Sequence, residues 1–175
     1  ADQFLQTNGS GVMTWAGVTA ESNTPSFYAY GSSATSVSHA TLTRIAVQSE
    51  QFDNGGCYNN TGSSTTLNSL TAPAYSFTPN VAGLYFFVGA IKNGLTAQNV
   101  GLVNNLGSVG GSETYASLRY YNSGANNTVI VSGYSVMNGT GNNVCLINYQ
   151  ESGGAVSTSD TIYTTYFGGF LVKKS

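Results

Sequence analysis

Short apolar segments separated by polar turns run along most of this chain. Gly, Ser, Thr and Asn mark a turn roughly every eight to twelve residues, and the segments between them are rich in Val, Ile, Tyr, Phe and Thr. Helix signals are nearly absent, and β-branched and aromatic residues favour strands. The pattern therefore predicts an all-β protein, a sandwich or barrel of short strands.

Several segments alternate with a period of two, which places successive side chains on opposite faces of a strand. The segments 41–48, TLTRIAVQ, and 115–122, YASLRYYN, have this pattern. The segments 126–136, 144–149 and 161–172 carry apolar residues on both faces. A strand that is covered on both faces lies inside a sandwich or at a subunit interface.

The segment SFTPNVAGLYFF (76–87) predicts a turn between two strands. Pro79 has no N–H to donate to a strand ladder, so it ends the first strand. Gly83 can supply the positive φ that the turn needs. We expect residues 84–91, LYFFVGAI, to form a central strand that packs on both faces.

Composition narrows the class of protein and its partners. The chain has 175 residues, enough for one domain with a sizeable core, and 41% of them are apolar. Only 7% are charged, against about 25% in average domains, which allows large buried subunit contacts. Five Lys and Arg residues and a net charge of −2 exclude the basic stripe of a nucleic-acid-binding protein. No apolar run is long enough for membrane insertion.

Four segments resemble the C1q-like domain in their order along the chain. SFTPNVAGLYFFVGAI (76–91) is similar to the family's central signature, and TRIAVQSEQFDNGGCYN (43–59) resembles the segment before it. TTYFGGFLV (164–172) is similar to the family's last strand, and SFYAYG (26–31) would be the first. The resemblance implies a ten-stranded jelly-roll sandwich, assembled as a homotrimer, with a head domain at 25–175.

The first twenty residues differ in kind from the head. They contain one short apolar element, a glycine turn at NGSG (8–11) and the isolated Trp15, which predicts a connector over 1–24 in the form of a small hairpin or extended segment. We expect Trp15 to pack on a neighbour, which could be another chain. LQTNGSGVMTW (5–15) resembles stretches that precede head domains in phage tail-fibre and other virion fibre proteins.

Together the two resemblances imply a structural protein of a bacterial virus, located in the virion. In this interpretation the chain is a trimeric fibre or spike head that binds a host surface glycan or protein, and its connector joins other virion proteins. One alternative is a capsid or tail decoration protein that stabilises the particle, because the same fold and composition would suit that role. A third alternative is a fibre domain that degrades polysaccharide.

The sequence offers few residues for catalysis or metal binding. His39 lies in SVSHAT without a G-x-S-x-G elbow, so we expect a surface or interface role. The seven carboxylates show no close pair like that of a glycosidase, and we predict a protein that is not an enzyme, with no catalytic residues and no cofactor. DNGG (53–56) could offer oxygen ligands to calcium, but a plain turn is the favoured interpretation.

Two cysteines, Cys57 and Cys145, stand far apart in the sequence and outside any CxxC motif. With the single His39 they cannot complete a metal site. A disulfide between them is one alternative. The favoured alternative is that Cys145, inside VCLINY, is a small buried apolar residue.

Tyrosine-rich turns are the candidates for recognition. Tyr occurs twelve times, often beside Asn, Ser or Gly, and loops of that composition suit carbohydrate or protein surfaces. The most compact cluster is YYNSGANN (120–127), where alternation assigns Tyr120 to the core and Tyr121 to the exposed strand end. An individual tyrosine can equally fill a strand face or the trimer interface. The predicted binding residues are Tyr121, Asn122, Asn126 and Asn127.

The segment 92–114 departs from the C1q-like pattern. It is longer and richer in Gly and Asn than the usual connection at this point. It predicts either an extra hairpin or a long exposed loop, and exposed loops commonly carry binding residues. The segment therefore competes with 120–127 for the binding role.

Overall fold

Two sheets packed face to face form the head of the protein. The computed structural model describes residues 3–7, 9–17, 24–94, 97–106, 114–122 and 127–175. In these parts of the chain every regular element is a β-strand, and no helix is long and apolar enough to cross a membrane. The all-β prediction is confirmed there.

The strands are short in the first half of the chain and longer in the second. The first ten are β1 (Gln3–Thr7), β2 (Met13–Gly17), β3 (Ser26–Tyr30), β4 (Ser36–Val37), β5 (Thr43–Arg44), β6 (Ser49–Asn54), β7 (Tyr58–Asn59), β8 (Thr65–Leu67), β9 (Leu70–Ala72) and β10 (Ser76–Phe77). The others are β11 (Gly83–Lys92), β12 (Ala97–Asn104), β13 (Thr114–Asn122), β14 (Thr128–Met137), β15 (Val144–Gln150), β16 (Val156–Ser157) and β17 (Tyr166–Lys174).

Antiparallel pairing organises these strands into two main sheets. The larger sheet has six strands in the order β13-β12-β15-β10-β7, with β5 also paired to β15. The smaller sheet has five strands in the order β14-β11-β17-β3-β6. Three further pairs, β1-β2, β4-β16 and β8-β9, form two-stranded sheets of their own. The predicted sandwich architecture is therefore present.

Aromatic rings from both sheets form the centre of the core. Phe27 on β3 stacks on Phe77 of β10 and on Tyr58 of β7, with ring centroids 4.6 and 4.7 Å away. Phe167 meets the Phe27 ring edge-on at 4.8 Å, and Phe87 lies 5.8 Å from Phe77. None of these five side chains is more than 3% exposed. The rings therefore join the two sheets directly.

The segment 76–87 forms the predicted turn between two strands, with one difference at its glycine. β10 ends before Pro79, and β11 is a central strand between β14 and β17. The φ of Gly83 lies outside the left-handed region, and the residue begins β11. A Cβ there would collide with the carbonyl oxygen of Lys173 and come within 2.7 Å of the Leu171 side chain. Close approach of two strands, and not the turn, is what requires glycine.

The predicted strand at 41–48 is regular over two residues only, those of β5. Its alternation still holds, because Ile45 and Val47 are both fully buried. The Ala46 N–H between them donates to the Thr35 hydroxyl at 2.9 Å and not to a neighbouring strand. Burial thus follows the sequence pattern, whereas hydrogen bonding to a loop interrupts the strand.

The segment 92–114 is not a long exposed loop, so that alternative is wrong. Residues 97–104 form β12, which lies inside the larger sheet between β13 and β15. Val100, Leu102 and Val103 on this strand are fully buried. β12 pairs with β13 as an antiparallel hairpin, in agreement with the extra-hairpin alternative.

The two cysteines do not form a disulfide, and both are buried. Cys145 packs with Ile147 beneath Leu42 and Leu106 on the outer face of the larger sheet. Its interpretation as a small apolar residue is confirmed. Burial raises the pKa of the Cys57 thiol, which keeps that thiol protonated at neutral pH.

The segment predicted to be a connector contains a hairpin, one of the two forms expected for it. β1 pairs with β2, and Gly9 and Gly11 in the turn between them have φ values of 82° and 81°. Glycine adopts this left-handed conformation without a steric cost. Trp15 is opposite Leu5 in the hairpin, and the two side chains are 68% and 45% exposed. The expectation that Trp15 packs on a neighbour stays a prediction, as does the domain boundary at residue 24.

We predict that Gly169→Ala destabilises the head by about 1–3 kcal/mol, as overpacking of a core does. A Cβ at Gly169 would collide with the Phe87 ring and come within 2.8 Å of the Phe86 carbonyl oxygen. Urea unfolding of the two proteins measures the difference. The control is Gly154→Ala, because no atom lies within 4 Å of a Cβ at that position. Equal unfolding midpoints for both variants would contradict the close packing described here.

Candidate binding surfaces

The sandwich has two ends, defined by where the chain enters it from the predicted connector at residues 24 and 25. The Leu171 N–H donates to the carbonyl of Pro25 at 3.0 Å, so the chain enters the head beside the carboxyl half of β17. From Ser26, β3 runs antiparallel to β17 and reaches Tyr30 opposite Tyr166. We call the end at which β3 finishes the connector-distal end. It comprises the described residues 30–36, 92–94, 121–122, 127–128 and 150–166.

The described residues on either side of the predicted binding turn lie at this connector-distal end. β13 finishes with Tyr121 opposite Gln98 and Asn122 opposite Ala97, at the start of β12. Asn127 is exposed just before β14. Asn126 lies outside the described residues, and so do the side chains of Tyr121 and Asn122. The directions predicted for Tyr120 and Tyr121 therefore stay predictions.

An exposed aromatic residue at the same end was missed by the sequence analysis. Tyr163 is 85% exposed in the turn at 161–165. The sequence pattern assigned residues 161–172 to one strand, but β17 begins only at Tyr166. The signal that could have found the turn is the run STSDT (157–161), because Ser, Thr and Asp side chains favour turns over strands.

Buried amides hold the loops of the connector-distal end together. The Gln98 Oε1 accepts hydrogen bonds from the side-chain amides of Asn93 at 2.7 Å and Asn148 at 2.6 Å. The Gln150 Nε2 donates to the carbonyls of Val37 at 3.0 Å and Gly154 at 2.7 Å. Each of these four amide side chains is 0–3% exposed. The interior beneath this end is polar, so directional hydrogen bonds fix the positions of its loops.

His39 also supports this end of the molecule. Its Nδ1 accepts a hydrogen bond from the Gly153 N–H at 3.1 Å, and the residue is exposed. This is a surface histidine, as predicted, with one ring nitrogen bound to a loop backbone. Nearby, Glu151 accepts a hydrogen bond from the Tyr149 hydroxyl at 2.7 Å, and this bond raises the pKa of Tyr149.

The outer face of the smaller sheet is the second candidate surface, and it is apolar. On it the Phe86 ring lies between those of Tyr134 and Phe170, at centroid distances of 5.2 and 5.7 Å. Tyr134 is 61% exposed and Val136 is 71% exposed. We call this surface the apolar sheet face. It comprises the described residues Tyr28, Phe52, Leu84, Phe86, Ile130, Tyr134, Val136, Tyr166, Phe170 and Val172.

Four oxygen atoms of the turn at 53–56 already accept hydrogen bonds within the protein. The two carboxylate oxygens of Asp53 accept hydrogen bonds from the backbone N–H groups of Cys57 at 3.1 Å and Tyr58 at 2.9 Å. The Asn68 Nδ2 lies 2.8 Å from the Gly55 carbonyl oxygen and 2.9 Å from that of Gly56. These contacts favour the plain turn. Within the described residues no group of three or more His, Cys, Asp or Glu side chains could hold a metal ion.

One pair of carboxylates does interact. Burial, together with the nearby charge of Asp53, raises the pKa of Glu50. Asp53, however, binds the backbone of its own turn with both oxygens. A glycosidase requires one carboxylate to face the sugar ring or its attacking water. Asp53 is therefore occupied in stabilising its own turn.

Comparison with solved structures shows the same fold at low sequence identity. The crystal structure of murine APRIL at pH 5.0 has a TM-score of 0.57 at 12% identity, covering 84% of this chain and 98% of that one. The globular domain of zebrafish complement 1qA protein has a TM-score of 0.56 at 15% identity, with 86% and 99% covered. Eiger TNF from S. frugiperda has a TM-score of 0.54 at 10% identity, with 86% and 93% covered.

At the level of sequence, no family model and no curated protein matches the chain. The structural matches span nearly the whole length of the compared domains, whereas their sequences agree at few positions. They confirm the resemblance and the jelly roll expected from it. The head of this protein has the C1q/TNF-like jelly-roll fold.

Proposed function

We propose that this chain is the trimeric head of a viral fibre or spike, most simply of a bacteriophage, that binds the host cell surface with its connector-distal end. The observation that carries the proposal is the opposition of the two ends. The connector enters beside Leu171, whereas Asn122, Asn127 and the exposed Tyr163 lie at the other end. A head that is attached at one end presents the other to its surroundings.

The apolar sheet face supports assembly into a trimer. Contiguous exposed apolar surface on a protein commonly marks an interface. The aromatic groups lie on both halves of this face: Tyr134 stands on the edge strand β14, and Phe52 stands on the opposite edge strand β6. A three-fold contact joins two different patches of neighbouring subunits, so it can use both edges. The low charge of the chain leaves few charges to desolvate there.

We predict that Tyr134→Glu converts the trimer into a folded monomer. The side chain is 61% exposed in the single chain, so the substitution leaves the fold intact. In a trimer it would bury an unpaired charge, at a cost of about 3–5 kcal/mol. Light scattering during gel filtration at micromolar concentration measures the mass.

The control for this variant is Thr140→Glu, which places the same charge on an exposed turn at the connector end. It is expected to remain trimeric. A trimeric Tyr134→Glu protein would show that the apolar sheet face is not the interface. A monomeric parent protein would refute trimer assembly altogether.

We predict that Tyr121→Ala combined with Asn122→Ala weakens binding of the head to host cells. Loss of one stacked tyrosine should cost about 0.5–1.5 kcal/mol per site, by analogy with aromatic pairs. Three sites acting together would multiply that loss through avidity. Binding of fluorescently labelled heads to cells measures the effect, as does competition with phage adsorption. The comparison requires that the variant and the parent have the same melting temperature.

Thr140→Ala, at the opposite end, serves as the control for the double substitution. Unchanged cell binding by the double variant would exclude the turn at 121–127. A parent head that neither binds cells nor competes with adsorption would favour the decoration protein instead. Location in a particle reconstruction separates the two further, because a distal position indicates receptor binding and a lattice position indicates decoration.

A further inference from the structure

We propose that Tyr163 is a saccharide-binding platform at the connector-distal end. This inference rests on the proposed function and deepens it, because it assigns a contact residue and commits the ligand to a sugar. Tyr163 is the most exposed of the large apolar side chains in the described part of the chain, at 85%. It lies outside the turn predicted from the sequence.

Hydrogen bonds hold the Tyr163 turn in one conformation. The backbone N–H groups of Thr164 and Thr165 donate to the Thr161 carbonyl at 3.0 and 3.1 Å. The hydroxyls of Thr161 and Thr164 lie 2.6 Å apart, and Thr164 also donates to the Ser159 hydroxyl at 2.9 Å. The Thr165 hydroxyl donates to the Ser159 carbonyl at 2.7 Å. The side chains around Tyr163 are thus used to shape the turn.

The turn is also fastened to the sandwich on two sides. The Ser159 N–H donates to the Lys92 carbonyl at 2.7 Å, at the end of β11 where Lys92 pairs with Thr128. On the other side the Gly31 N–H donates to the Thr165 carbonyl at 2.9 Å. Tyr163 is therefore presented by a rigid support, next to the strand that follows the predicted binding turn. The backbone of the turn therefore loses little conformational entropy when a ligand binds.

The surroundings of Tyr163 fit a sugar better than a protein partner. Asp160 and Thr161, which precede it in the sequence, are exposed, and Ile162 is partly buried. Aromatic hot spots in protein interfaces lie in well-packed apolar pockets, which an isolated ring among polar groups does not offer. A saccharide needs a flat ring for its C–H face and acceptors for its hydroxyls. The exposed Tyr163 ring offers the first, and Asp160, which precedes it in the sequence and is also exposed, offers a carboxylate acceptor.

The test uses the full chain and two kinds of saccharide probe. Saturation-transfer NMR with the methyl glycosides of galactose, glucose and N-acetylglucosamine detects contact with free sugars, and a printed oligosaccharide array detects multivalent binding. Tyr163→Ala should weaken binding roughly 2- to 10-fold per site, the range of one aromatic stacking contact. The loss on the array should be larger, since several sites engage together. Tyr163→Phe keeps the ring and should keep most of the binding.

Thr140→Ala is the control, and unchanged melting temperature and mass are required of every variant. Array binding that is equal in Tyr163→Ala and the parent would overturn the inference, as would equal losses in Tyr163→Ala and Tyr163→Phe. A parent head that adheres to cells but binds no saccharide probe would overturn this inference and leave the proposed function standing. A parent head that does neither would overturn both.

Discussion

The stack of aromatic rings around Phe27 is the contact on which the rest of the structure depends. Phe27 and Phe167 come from the smaller sheet, and Tyr58 and Phe77 come from the short strands of the larger one. β7 and β10 are two residues long, so their ladder hydrogen bonds alone could not hold them. Buried aromatic side chains contribute large contact areas and favourable ring geometry. They attach these short strands to the sheet opposite.

Both faces of the smaller sheet carry aromatic residues, but one face packs in the core and the other is exposed in the single chain. β11 turns Tyr85 and Phe87 into the core, and it turns Phe86 outward beside Tyr134. Alternation along a strand requires this division. A monomer with few charges that leaves such a face in water would be prone to association. The low charge content and the apolar sheet face therefore both favour association between subunits, as in the proposed trimer.

Hydrogen bonds between buried polar groups hold the connector-distal end together, whereas apolar contacts hold the core. Buried amides, including those of Gln98 and Asn148, lie beneath this end. The other end of β15 instead carries the apolar residues Val144 and Leu146. An amide network fixes loop positions through directional hydrogen bonds, which is useful where a surface must keep its shape in water. The Tyr163 turn at the same end is held by its own set of hydrogen bonds, in which the hydroxyls of Thr164 and Thr165 donate to Ser159.

The local sequence pattern by itself determined the strand-rich class of the chain, the inward positions of Ile45 and Val47, and the turn before β11. Strand alternation and turn formation depend mainly on residues that are close in sequence. It also predicted a break in strand structure after residue 122, and β13 ends at Asn122. Only the tertiary structure decided what depends on contacts between distant segments. Glycine is needed at position 83 because β17 lies against it. Residues 97–104 become an inner strand because β15 pairs with them. The Tyr163 turn interrupts an apolar run because the backbones of Lys92 and Gly31 form hydrogen bonds with it. Those partners lie far away in sequence, and no local pattern reports them.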